Sequence, residues 1–115
     1  MANTFKVVTK AGVTSADVIY TAGSGVTAIV LGLILGNTTT SQITSTVTLT
    51  SDTSGRAGGN DEANQAVELI TNAPIPAGSS LELLSGNKVV LEATDEIKVS
   101  ASGATDVALS IMEIT

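Results

Sequence analysis

The stretch VTAIVLGLILGN, residues Val26 to Asn37, decides the fold class of this 115-residue chain. It carries eight aliphatic side chains and an interior glycine, with AGSG before it and GNTTTSQ closing it. A membrane helix needs about 20 consecutive apolar residues, so this run is too short to cross a bilayer. A buried helix or a strand covered on both faces remains, and the Val, Ile and Thr content with glycine at each border selects the strand. Under strict alternation Ile29, Leu31, Leu33 and Leu35 line one face, while Ala28, Val30, Gly32 and Ile34 line the other. Both faces are apolar. Only one face of a sandwich strand meets the core, so the smaller face needs another cover, and a neighbouring subunit is the economical one. The competing reading is a central strand capped by the chain's own loops. Gly32 inside the run permits close backbone approach or a bulge.

Outward from this run the same period continues. In QITSTVTLT, Ile43, Ser45, Val47 and Leu49 fall on one face and Thr44, Thr46, Thr48 and Thr50 on the other, a threonine ladder suited to a wet sheet face. In EIKVSA, Ile97, Val99 and Ala101 alternate with Lys98 and Ser100, and Val107, Leu109 and Ile111 alternate with Asp106, Ala108 and Ser110. FKVV near Phe5, DVIYT from Asp17, NQAVELIT, SSLELL and KVVLEA complete eight or nine short strands, with GN, TD and SGA as turns between the later ones. The 17 Thr and 12 Ser agree with a strand-rich, helix-poor chain. The expected fold is an all-β, single-domain antiparallel β-sandwich, jelly-roll-like, over residues 1–115.

Two connections stand out. SDTSGRAGGNDEAN, residues 51–64, is a polar, glycine-rich loop too long for a hairpin. NAPIPAGSS sets prolines on both sides of Ile75, which is expected to hold an extended, non-pairing backbone and display that isoleucine from an edge.

Composition narrows function by exclusion. Five Lys plus Arg against eleven Asp plus Glu give a net charge of -6, which repels nucleic acid and anionic lipid. Without cysteine or histidine there is no thiol nucleophile, no disulfide, and no side chain that ordinarily titrates near neutral pH. General acid–base chemistry would fall to a strongly shifted carboxylate or lysine, so no enzyme, catalytic residue or cofactor is expected. Asp52, Asn60, Asp61 and Glu62 suggest a hard cation, yet their spacing does not follow a calcium-binding loop, and no metal site is assigned. Asp95 and Glu96 are adjacent, and strand neighbours point to opposite sides, which disfavours a carboxylate pair. AGSGVT places its glycines before a strand rather than after one, the wrong order for phosphate. Asn37, Thr38 and Thr39 spell a glycosylation sequon, but MANTFKVVTK has no secretion signal, so a turn is expected there and synthesis in the cytoplasm. Phe5 and Tyr20 are the only aromatics, too few to stack sugars or bases.

Three segments in order, IYTAGSGVTAIVLGL, APIPAGSSLELL and VVLEATDEIKV, with the terminal DVALSIMEIT, resemble a family of small all-β virion proteins of tailed bacteriophages, notably phages of marine cyanobacteria. The resemblance covers nearly the whole chain outside residues 51–64; it departs at Ala22 and Gly23, where such proteins often have a proline. It implies a non-enzymatic virion component present in many copies, either decorating the capsid or placed in tail, neck or fibre; the alternative reading extends to an adhesive module that contacts the host surface through loops such as residues 51–64. The expected partners are a second copy, as dimer or trimer, and phage capsid or tail proteins. The candidate oligomer interface is Val26, Ala28, Val30, Gly32, Ile34 and Ile75.

Overall fold

The computed structural model describes residues 2–51, 65–84 and 88–115. They form nine strands: β1 (Asn3–Val13), β2 (Asp17–Thr21), β3 (Thr27–Asn37), β4 (Ile43–Ser51), β5 (Gln65–Ile75), β6 (Ser80–Leu83), β7 (Val89–Leu91), β8 (Glu96–Ala101) and β9 (Thr105–Ile114). No described residue is helical. One sheet runs β1-β9-β3-β6, with β7 also paired to β3, and the other runs β2-β8-β4-β5. Every pairing is antiparallel. β1 pairs with β9, β2 with β8, β3 with β6 and β7, and β4 with β5. The two halves of the chain therefore run back along each other as a ribbon, and rolling that ribbon into two layers makes a jelly roll. The polar loop over residues 51–64 lies outside the described residues apart from Ser51, as does the GN turn.

The strands are not uniformly short: β1, β3 and β5 each span 11 residues. Around Phe5 the sequence suggests four residues of strand, because Thr and Lys dilute the alternation on either side. The ladder with β9 carries the segment through Lys10 in register.

β3 corrects the strict alternation. Val30 pairs with Ile111 and Gly32 with Ser110, so Leu31 is an extra residue, a β-bulge. A one-residue insertion flips every side chain beyond it to the other face. Ala28 and Val30 point into the core before the bulge, and Leu33, Leu35 and Asn37 do so after it, all of them buried. The bulge falls between the segment of β3 paired with β7 (Ala28–Val30) and the segment paired with β6 (Leu33–Gly36). The core is closed by Ile111, Leu109 and Val107 from β9, Ile97 and Val99 from β8, and Val47 from β4, all at 2% exposure or less. Burying each of the larger side chains contributes on the order of 1.5–3 kcal/mol.

Asn37 ends β3 and fixes the corner where β5 leads to β6. Its Nδ2 donates to the carbonyls of Ser41 (2.8 Å), Ile75 (3.0 Å) and Pro76 (3.2 Å), and its Oδ1 accepts from the Thr39 amide and hydroxyl. Ile75 does lie on the edge strand β5, but the expectation that it is displayed is wrong: it pairs with Ile43 and has 0% exposure. The prolines stop the edge from pairing outward while the side chain turns inward. The TD turn is present, with Thr94 at φ 74° and its amide bonded to the Ala22 carbonyl.

Candidate interaction surface

The outer face of the first sheet is built by residues that the core leaves over. Phe5 of β1 pairs with Met112 of β9, Met112 with Ile29 of β3, and Ile29 with Val90 of β7. Opposed residues in antiparallel strands share a face, so these four side chains form one apolar row across four strands. Phe5 is 72% exposed and Val90 56% exposed. The next row is Val7, Ser110 and Gly32, and the one after it Thr9, Ala108, Ile34 and Glu82. Val7 at 63% and Ile34 at 45% continue the apolar surface across these rows. Of the six large hydrophobic residues exposed among the described residues, four lie on this one face.

Relief on the face comes from glycine. Shallow depressions flank Ile34, one over Gly36 and Ala108 toward Ala11, the other over Gly32 toward Glu82. A Cβ added at Gly32 would meet nothing within 4 Å. The charges at this end are Lys10, Glu82 and Asp106, and the Asp106 carboxylate accepts the Gly12 amide at 3.0 Å.

Of the residues expected at an interface, only Gly32 and Ile34 lie on the outer face. Ala28, Val30 and Ile75 have 0% exposure within a single chain and belong to the core, and half-buried Val26 lies in the turn entering β3. Ile29, assigned to the core face by strict alternation, is on the outer side because the bulge comes after it. Phe5, Val7, Val90 and Met112 were missed, since their alignment depends on pairings between strands distant in sequence. The exposed FKV of β1, with apolar residues at Phe5 and Val7, was the available signal.

Polar side chains elsewhere serve the framework. Glu113 of β9 accepts the Tyr20 hydroxyl of β2 at 2.6 Å and the Lys6 ammonium of β1 at 2.8 Å, tying the two sheets together. Burial first, then the neighbouring Glu113, raises the Tyr20 pKa far above its usual value. Bonds from Lys6, then from Tyr20, lower that of Glu113. Buried Asp95 accepts the Ser51 hydroxyl at 2.8 Å and the Glu92 amide at 3.0 Å, so it fastens a turn, and Glu96 pairs instead with Lys98 at 3.3 Å. Among the described residues no group of three or more Asp and Glu could hold a metal ion, and no helix is long and apolar enough to cross a membrane. Asp52, Asn60, Asp61 and Glu62 lie outside the described residues.

No protein-family model matches the chain, and no curated protein matches it. Among solved structures, the chain is similar to a protein of Bacillus endospore appendages, described as a novel family of disulfide-linked pili, at 15% identity and a TM-score of 0.42, over 96% of this chain and 85% of that one. It is also similar to a chain of the T13 particle of infectious bursal disease virus (10% identity, TM-score 0.38) and to one of the Gx strain of that virus (11%, 0.37). Both viral similarities cover 96% of this chain but 35% and 36% of theirs, so it spans about a third of their length.

Proposed function

We propose that this chain is a non-enzymatic structural protein of a tailed-phage virion, made in the host cytoplasm, which self-associates and lays the outer face of its first sheet against the capsid surface to decorate or cement it. The observation that carries this reading is the row Phe5, Met112, Ile29 and Val90, with Val7 in the next row and Ile34 in the one after, an apolar surface on a chain of net charge -6. Contiguous apolar surface of this kind mostly serves contact with another protein. The resemblance of the segments quoted above to phage virion proteins supports a virion as the setting, and the lack of cysteine, histidine and clustered aromatics favours assembly over catalysis or glycan binding.

The test mixes the purified protein with capsids stripped of accessory proteins, and separately with tails. Wild type should sediment with the shells, and Ile34→Asp and Val90→Asp should fold normally and stay in the supernatant. Sedimentation with tails alone would move the protein to the tail, neck or fibre. Wild-type-like binding by both variants would remove the face from the mechanism.

A further inference from the structure

The four sheet edges differ in how they are closed to further pairing. In the second sheet, β2 has five residues and a register shift beside Ile19, and β5 carries two register shifts, Pro74, and Asn72 at φ 47°. The far edge of the first sheet is broken into β6 and β7, of four and three residues. Short, bulged or proline-bearing edges are the usual protection against strand addition. β1 has neither proline nor a bulge from Asn3 to Lys10, and no described strand pairs along its other side.

We propose that two copies of the chain join by antiparallel pairing of β1 with β1 about a two-fold axis at Val7, making one continuous sheet through both. This deepens the self-association proposed above and rests on it. The backbone phase is set by Ala2 and Thr115, which exchange both hydrogen bonds at 3.1 and 3.0 Å. In an antiparallel ladder bonded and non-bonded pairs alternate, so Asn3, Phe5, Val7 and Thr9 direct both N–H and C=O toward the open edge. A partner strand must then bond odd residues to odd ones, which leaves few registers.

Charge chooses among them. With Val7 opposite the partner's Val7, Phe5 meets the partner's Thr9, Lys6 the partner's Val8, and Thr4 the partner's Lys10. A shift one way sets Lys6 against the partner's Lys6, and a shift the other way sets Lys6 against the partner's Lys10. Like charges directly opposed are destabilising, so the lysines, usually edge guards, here fix the register. Lys6 is already neutralised by Glu113 on the inner side. In the chosen register the two outer faces join and their Phe5 and Val7 side chains become contiguous.

The chain has no cysteine, so Phe5→Cys and Thr9→Cys, which leave both lysines in place, can be introduced singly and mixed under mild oxidation. These positions form a bonded pair across the axis, where the Cα separation of about 5.5 Å suits a disulfide. A covalent dimer from the mixture, with none from either variant alone, is the expected result. Cross-linking of either variant alone, without the mixed species, means a different register and overturns the proposal. A second variant, Val7→Pro, removes an outward N–H that β9 does not use. It should melt like wild type yet run as a monomer by light scattering. A dimer that survives Val7→Pro but is lost in Ile34→Asp places association on the sheet face, overturning edge pairing and leaving the proposed function standing. A wild-type monomer at micromolar concentration that still binds shells overturns both edge pairing and self-association.

Discussion

The two sheets turn unlike faces to solvent although their inner faces follow one rule. Outside the second sheet, Thr46 sits beside Ser100, Thr48 beside Lys98 and Glu68, and Thr50 beside Glu96, with Val18 of β2 the exposed apolar residue beside Lys98. Outside the first, the corresponding rows hold Phe5, Met112, Ile29 and Val90, then Val7 and Ile34. A strand asks for β-branched side chains that pack sideways on a pleated surface, and threonine meets that demand while staying hydrated. Valine, isoleucine and phenylalanine on an outer face therefore exceed what the fold requires. The second sheet serves as an internal control: a jelly roll of this chain can be mostly polar outside, and the first sheet carries four of the six exposed large hydrophobic residues among those described.

The comparison is broken most forcefully where inside and outside are neighbours in sequence. Leu33→Ala should cost about 2–5 kcal/mol in denaturant unfolding, since Leu33 is buried. Ile34→Ala, one residue on and on the outer face, should change stability by no more than about 0.5 kcal/mol. Equal costs would mean that the bulge at Leu31 does not set the faces. Asn37→Ala comes next, at about 1–3 kcal/mol, because it strips donors from the Ile75, Pro76 and Ser41 carbonyls at once. Converting the apolar row toward the other sheet's chemistry, with Val90→Thr and Ile34→Thr together, should leave chain stability within about 1 kcal/mol of wild type. The same double variant should lose shell binding, whereas Ser100→Lys on the wet face should keep it.

The smallest effect concerns the tie between the sheets. Glu113 has its pKa lowered in the folded state, so its ionised form stabilises the fold fully above the unfolded carboxylate pKa. That contribution disappears as pH falls through the lower folded value. Unfolding free energies of wild type and Glu113→Gln from urea titration should differ at neutral pH by what a half-buried carboxylate paired with an exposed lysine supplies, about 1 kcal/mol or less, and converge in acid. A gap that widens in acid would mean that folding raises the Glu113 pKa rather than lowering it.

Legibility in the sequence followed the range of the interaction. The threonine ladder of β4 and the alternations in β8 and β9 were readable because each is local and unbroken, and their buried residues fall on the expected faces, with Leu49 and Ala101 half-buried toward the ends. The phase of β3 was not, because an extra residue between two apolar halves leaves no polar marker where the period slips. Gly32 hinted at a bulge without saying which residues would change sides. The direction of Ile75 depends on Asn37, 38 positions away, and the Tyr20–Glu113 bond spans 93. The outer row is legible only after four strands are aligned, so no inspection of one segment could yield it.

The network at Asn37 also bears on the sequon it belongs to. A glycan is attached through the side-chain nitrogen, and in the folded protein Asn37 is 4% exposed and that nitrogen already gives its hydrogens to three carbonyls. Expressed through a secretory pathway, the chain can therefore be modified at Asn37 only before the corner closes, and a modified chain cannot close it. The fraction carrying sugar would record a race between transferase and folding, which makes this residue a clock for the last steps of assembly of the roll.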